Sequence, residues 1–160
     1  MQPKTTSVPE LPSLNRLAGR RIVVTGAGSG IGAAIAQLFI SEGAKVVALD
    51  RNEAGILAWM KSGEGIALSM DVSDETQVKD AVHRAAQAME GIDGLVNAAG
   101  IANQDLLSEV SLEDWRRVID VNLTGSFLMV RACFPHLKEV PDSTIVNLSS
   151  GQGLQPFMRR

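Results

Sequence analysis

The 160-residue chain has a single cysteine, Cys133, so no intrachain disulfide can form, and a reducing compartment is the natural expectation. No apolar stretch approaches the roughly 20 residues that a membrane span needs. The N-terminus has no long apolar core of the kind a signal peptide carries. The expected location is therefore the cytoplasm, with no membrane partner. Basic residues do not cluster in the body of the chain, and the net charge of −3 argues against a nucleic-acid surface. No Gly-Lys-Ser/Thr follows the glycines at the spacing of a Walker-type phosphate loop. Nothing resembles a Ser-His-Asp nucleophile set. His83 lies among helical residues and His136 near a helix end, and both read as surface groups. No metal site is expected. Tyrosine is absent altogether.

What remains is ordinary for a globular protein: 45% hydrophobic residues and 21% charged. One domain is expected, large enough to bury about two-thirds of its unfolded surface. Residues 1–17 carry Pro3, Pro9 and Pro12 among small polar residues and read as a mobile arm. Residues 18–160 read as the domain. Strands are predicted near 20–25, 45–50, 65–70, 92–97 and 143–149, and helices near 30–42, 53–61, 74–89 and 111–137. Asp74-Glu-Thr-Gln77 is a capping box, followed by Val78, Ala81, Val82, Ala85 and Met89 at helical spacing. Ser111-Leu-Glu-Asp114 is a similar start signal. Trp115, Val118, Ile119, Asn122, Ser126, Met129 and Cys133 are then expected on one face, with Pro135 marking the end. Apolar strands alternating with helices imply a parallel α/β sheet covered on both faces.

The most informative stretch is Thr25-Gly26-Ala27-Gly28-Ser29-Gly30-Ile31-Gly32. It follows a predicted strand and opens a predicted helix, which is the context that makes a glycine pattern a phosphate-binding hypothesis. Glycines allow a tight turn and close approach to a pyrophosphate, and the helix N-terminus offers unpaired N–H groups and a positive dipole end. Asp50 ends the next predicted strand, where a ribose-hydroxyl partner is expected in a dinucleotide fold. Asp50, Asp71, Asn97 and Ser149-Ser150 all fall at carboxyl ends of strands, where such sheets bind ligands.

These features, with Asn97-Ala-Ala-Gly100, Val121-Asn122 and Ile145-Val-Asn147-Leu-Ser149-Ser150-Gly-Gln-Gly153, resemble the short-chain dehydrogenase/reductase family in order and spacing. The resemblance implies a Rossmann-type doubly wound parallel sheet of about five strands, incomplete relative to the family, and an NAD(P)-binding domain. It implies an oxidoreductase moving hydride between a nicotinamide dinucleotide and an alcohol or carbonyl substrate. Cofactor-holding residues would be Gly26, Ser29, Gly30, Ile31, Gly32, Asp50, Arg51, Asp71, Val72, Asn97, Ala98, Ala99 and Gly100. In the family, the Asp matching Asp71 meets the adenine amino group, the Val matching Val72 packs on the ring, and the Asn-Ala-Ala-Gly motif steadies the central sheet. The Asn matching Asn122 bends its helix and holds a water of the proton relay, and the Ser matching Ser150 is catalytic and orients the substrate oxygen. Asp50 would accept both ribose hydroxyls and repel a 2′-phosphate, favouring NAD over NADP, while Arg51 could swing toward a phosphate. Members commonly form homo-oligomers through the helix matching 111–137.

The family's Tyr-x-x-x-Lys motif, whose phenol is the general acid/base, is missing, because the sequence stops before that point. No useful turnover is expected from this chain alone. The last strand would then be a bare sheet edge, and helix 111–137 would expose apolar surface. Three readings follow: the cofactor-binding part of an oxidoreductase, a non-catalytic dinucleotide- or partner-binding module, and a non-functional truncation.

Overall fold

The computed structural model describes residues 14–103, 105–106 and 108–151. Among them the chain runs β1 (Arg21–Thr25), α1 (Gly30–Ser41), β2 (Lys45–Asp50), α2 (Glu53–Leu57), β3 (Ile66–Ser69), α3 (Glu75–Met89), β4 (Gly94–Asn97), α4 (Leu112–Ile119), a π-helical turn (Asp120–Thr124), α5 (Gly125–Leu137) and β5 (Thr144–Asn147). The five strands form one parallel sheet in the order β3-β2-β1-β4-β5. This is the doubly wound α/β fold expected. The chain steps outward from β1 to β3, then returns to place β4 on the other side of β1. The switch point therefore lies between β1 and β4, where Thr25 pairs with Asn97.

Side-chain alternation along the strands divides the core in two. Val23, Val47, Leu49 and Leu95 face α3 and α5, joining Val82, Met89, Met129 and Cys133. Ile22, Val24, Val46, Ala48 and Val96 face the opposite way, joining Ala36 of α1 and Ile56 of α2. Asp74 caps α3 by accepting hydrogen bonds from the Thr76 and Gln77 backbone. The Gln77 amide reaches the Asp74 carboxylate, and its oxygen accepts from the Asp71 backbone, so the capping pair also fixes the end of the β3 loop. Ser111 caps α4 through the Asp114 N–H.

Three expectations change. The single helix over 111–137 is interrupted, because the π-helical turn inserts one residue per turn and resets the helical phase. The one-face reading fails with it: α4 buries no residue, and Trp115 is exposed. The buried stripe is instead Val121, Gly125, Leu128, Met129, Cys133 and Leu137. Pro135 does not stop α5, which runs to Leu137. Of the expected arm, residues 1–13 lie outside the described residues. Arg16 and Leu17 are tied to Glu42, by an ion pair at 2.7 Å and a backbone bond at 2.9 Å.

Candidate functional site

At the carboxyl ends of β1 to β4 the chain leaves a cavity of about 390 Å³, within the range of small-molecule sites. Its wall takes Gly26, Ser29, Gly30, Ile31 and Gly32 from the glycine turn. Asp50 and Arg51 come from the end of β2, Asp71 and Val72 from beyond β3, and Ala98, Ala99 and Gly100 from beyond β4. Twelve of the thirteen residues expected to hold a cofactor thus meet at one cavity. Asn97 is the exception, and it lies buried beneath the wall. Leu49, Met70, Ile101, Val121 and Leu148 add apolar surface that sequence reasoning did not assign.

The turn is glycine-rich for steric reasons. Gly26 sits at φ +68°, and a Cβ there would lie 2.7 Å from the backbone of Ala98 and Ala99. A Cβ on Gly32 would strike the carbonyl of Gly26, 2.6 Å from its carbon. The turn delivers the chain into α1, whose N-cap residue Ser29 makes no side-chain cap bond. The first turn of α1 also carries no acidic residue. Among the described residues no side chain caps its first N–H groups, which suits an external acceptor.

Asp50 is held in place twice. One oxygen accepts from the Gly28 N–H at 2.9 Å, and the other from the Asn52 N–H at 2.8 Å. The neighbouring Arg51 pairs with Asp71 at 3.5 Å. The other Asp71 oxygen accepts from the Ser73 hydroxyl at 2.6 Å and the Ser73 N–H at 2.9 Å. Burial alone would raise the Asp71 carboxyl, but the Ser73 bonds and the Arg51 charge together hold it below the usual carboxylate range.

Thr25, not foreseen as a site residue, ties the two sides of the switch point. Its hydroxyl accepts from the backbone N–H groups of Ala98 and Ala99, both at 3.2 Å. The Asn97 amide donates to the Asn147 side chain at 2.8 Å, bridging β4 to β5. Trp59, just beyond α2 and also unforeseen, donates from its indole to the Ala27 carbonyl at 2.9 Å and so braces the turn. A buried-strand-to-glycine pattern carries no signal for either contact.

Asn122 is not the buried amide the stripe suggested. It is exposed within the π-helical turn, and both ends of its amide engage the Ile101 backbone at 2.9 Å. It therefore steadies the loop after Gly100 without lining the cavity itself. Ser150 is exposed and lies outside the cavity wall, two residues after Leu148, which is part of it. Gln152 and Gly153 of the last motif lie outside the described residues.

The donor set fits an anionic dinucleotide: open N–H groups at a helix start, a fixed carboxylate at a strand end, and small residues between apolar walls. The comparisons with known proteins agree. The family described as short chain dehydrogenase matches residues 20–160. A 2,5-dichloro-2,5-cyclohexadiene-1,4-diol dehydrogenase of Sphingobium indicum is 38% identical over 147 residues, covering 89% of this chain and 59% of that relative. A short chain dehydrogenase from Burkholderia cenocepacia, solved in complex with NADP, matches with a TM-score of 0.84 at 32% identity, covering 90% of this chain and 60% of its own. A 3-ketoacyl-(acyl-carrier-protein) reductase from Brucella melitensis, solved with NADH, gives 0.85 at 33% identity, covering 89% and 62%. The chain spans about three fifths of the length of these relatives.

Proposed function

The chain belongs to the short chain dehydrogenase family, and from that premise we propose that its residues form the NAD-holding part of an oxidoreductase acting on an alcohol or carbonyl. The observation that carries this reading is the meeting of the α1 N-terminus and the Asp50 carboxylate at one cavity. The N–H groups of Gly30, Ile31 and Gly32 would hold the pyrophosphate, and Asp50 would accept the ribose hydroxyls. A fixed carboxylate disfavours a 2′-phosphate, so NAD is the preferred cofactor over NADP. Asp71, Val72 and the segment Asn97 to Gly100 would enclose the adenosine half. When bound, the cofactor would donate or accept the hydride.

Asn122 would hold the loop at Ile101, and Ser150 would orient the substrate oxygen. The reaction also moves a proton, and these 160 residues contain no tyrosine to carry it in the family's manner. By themselves they would act as a dinucleotide-holding unit without turnover. Exposed Leu123 of the π-helical turn and Phe127 and Phe134 of α5 would support self-association through this segment. The single cysteine fits the cytoplasm.

The test is a fluorescence titration of NADH into the purified chain, with NADPH alongside. Saturable binding that favours NADH, and is lost in Gly26→Ala, is the expected outcome. A folded chain that binds neither nucleotide would sink the proposal. Oxidation of an alcohol with NAD by the 160 residues alone would overturn the expectation of no turnover.

A further inference from the structure

Two acidic residues lie at the adenosine end of the cavity, and only one has both of its oxygens held by backbone N–H groups. Asp50 is committed to the N–H groups of Gly28 and Asn52. Asp71 is anchored through one oxygen by Ser73 and turns the other toward Arg51. Arg51 and Asp71 both line the cavity. The Arg51 side chain is 66% exposed and the pair stands at 3.5 Å, a loose contact that a competing anion could open. A guanidinium next to a ribose-binding carboxylate is the natural fork for a 2′-phosphate. Here that fork is turned to a carboxylate on the next loop.

Resting on the dinucleotide-binding reading above, the geometry points to Asp71 as a positioning residue for cofactor choice: it holds Arg51 away from a 2′-phosphate and so sharpens the preference for NAD. This role is separate from any contact of Asp71 with adenine, which would affect both nucleotides alike. A phosphate that captures Arg51 must first displace Asp71, leaving that carboxylate without its cation. NADH incurs no such cost.

The test measures dissociation constants for NADH and NADPH in four chains: the unmodified chain, Asp71→Asn, Arg51→Gln and the double variant. Asp71→Asn is expected to raise NADPH affinity relative to NADH by about three- to fivefold, near the ceiling for so exposed a pair. Arg51→Gln alone is expected to change the ratio little, because its partner already holds the cation. In the double variant the gain should vanish, since a mere loss of negative charge would persist without Arg51. A ratio unmoved by Asp71→Asn, or moved equally with and without Arg51, overturns the inference while leaving dinucleotide binding intact. If the unmodified chain binds neither nucleotide, the parent reading falls and takes this one with it. Should Asp71→Asn not fold, Asp71→Ser keeps a short acceptor for the turn and reads the same ratio.

Discussion

Strands β2 and β5 are both short and apolar in sequence, yet they have opposite fates. In β2, Val46, Val47, Ala48 and Leu49 are all at most 1% exposed. In β5, every residue is exposed, with Ile145 at 38% and Val146 at 44%. The difference lies in what covers them. β2 has strands on both sides, α1 and α2 on one face and α3 on the other. Among the described residues β5 pairs only with β4, and α5 is the helix packed against it. The α1 side of β4 and β5 is an open trough floored by Gly94, Val96, Thr144 and Val146. Burial is thus a property of neighbours and not of the strand's own residues. The covered half, β3-β2-β1, supplies most of the cavity wall. The half formed by β4 and β5 adds the segment from Ala98 to Ile101 and, from beyond β5, Leu148.

Paired truncations sharpen this contrast most. Leu49→Ala should cost about 2–5 kcal/mol, the usual range for a buried Leu, whereas Ile145→Ala should cost less than about 1 kcal/mol. Urea unfolding of both variants reads the difference. Equal costs would break the comparison and mean that β5 is covered in solution.

The seam between the halves gives a smaller effect. Asp93, 5% exposed, accepts from the Arg21 backbone and side chain and so joins β1 to the start of β4. Hydrogen bonds from Arg21 hold its carboxyl below the ordinary range despite burial. A carboxyl lowered in the folded state adds stability above its unfolded pKa. That stability is lost as pH falls through the folded value. Asp93→Asn should therefore cost about 2 kcal/mol at pH 7 and flatten the decline of the melting temperature as pH falls below the ordinary carboxylate range, about pH 4. An unchanged acid limb would mean that the seam is not held by this charge.

The smallest effect is confined to the covered half. Trp59→Phe removes the indole bond to the Ala27 carbonyl and should cost about 1 kcal/mol. It should weaken NADH binding without disturbing exchange of the β4–β5 amides. Loss of protection in β5 as well would show that the two halves open as one unit.

Five strands and the glycine turn could be read from the sequence because each rests on local chemistry. Apolar runs, glycines that only a turn explains, and the Asp74 and Ser111 caps fall where expected. The polar and glycine part of the cavity wall was readable too, because residues at strand carboxyl ends converge in any doubly wound sheet, whereas its apolar residues Leu49, Met70, Ile101, Val121 and Leu148 were not assigned. The helix over 111–137 was not. A π-helical turn has no pattern of its own, and its extra residue shifts every later position, so Trp115 and Met129 do not share a face. The Thr25 bonds to Ala98 and Ala99 and the Arg51–Asp71 pair were also invisible, since each joins segments whose approach only the folded sheet defines.

Cys133 gives this architecture a built-in clock. It is fully buried between α5 and the layer beneath it, and burial pushes its thiol up to about 12. Only a thiolate attacks an alkylating reagent, so at neutral pH the closed protein is silent. Each labelling event then records a moment when α5 has lifted from the sheet. Because the chain has no other cysteine, the mass added over time counts the openings of a single helix.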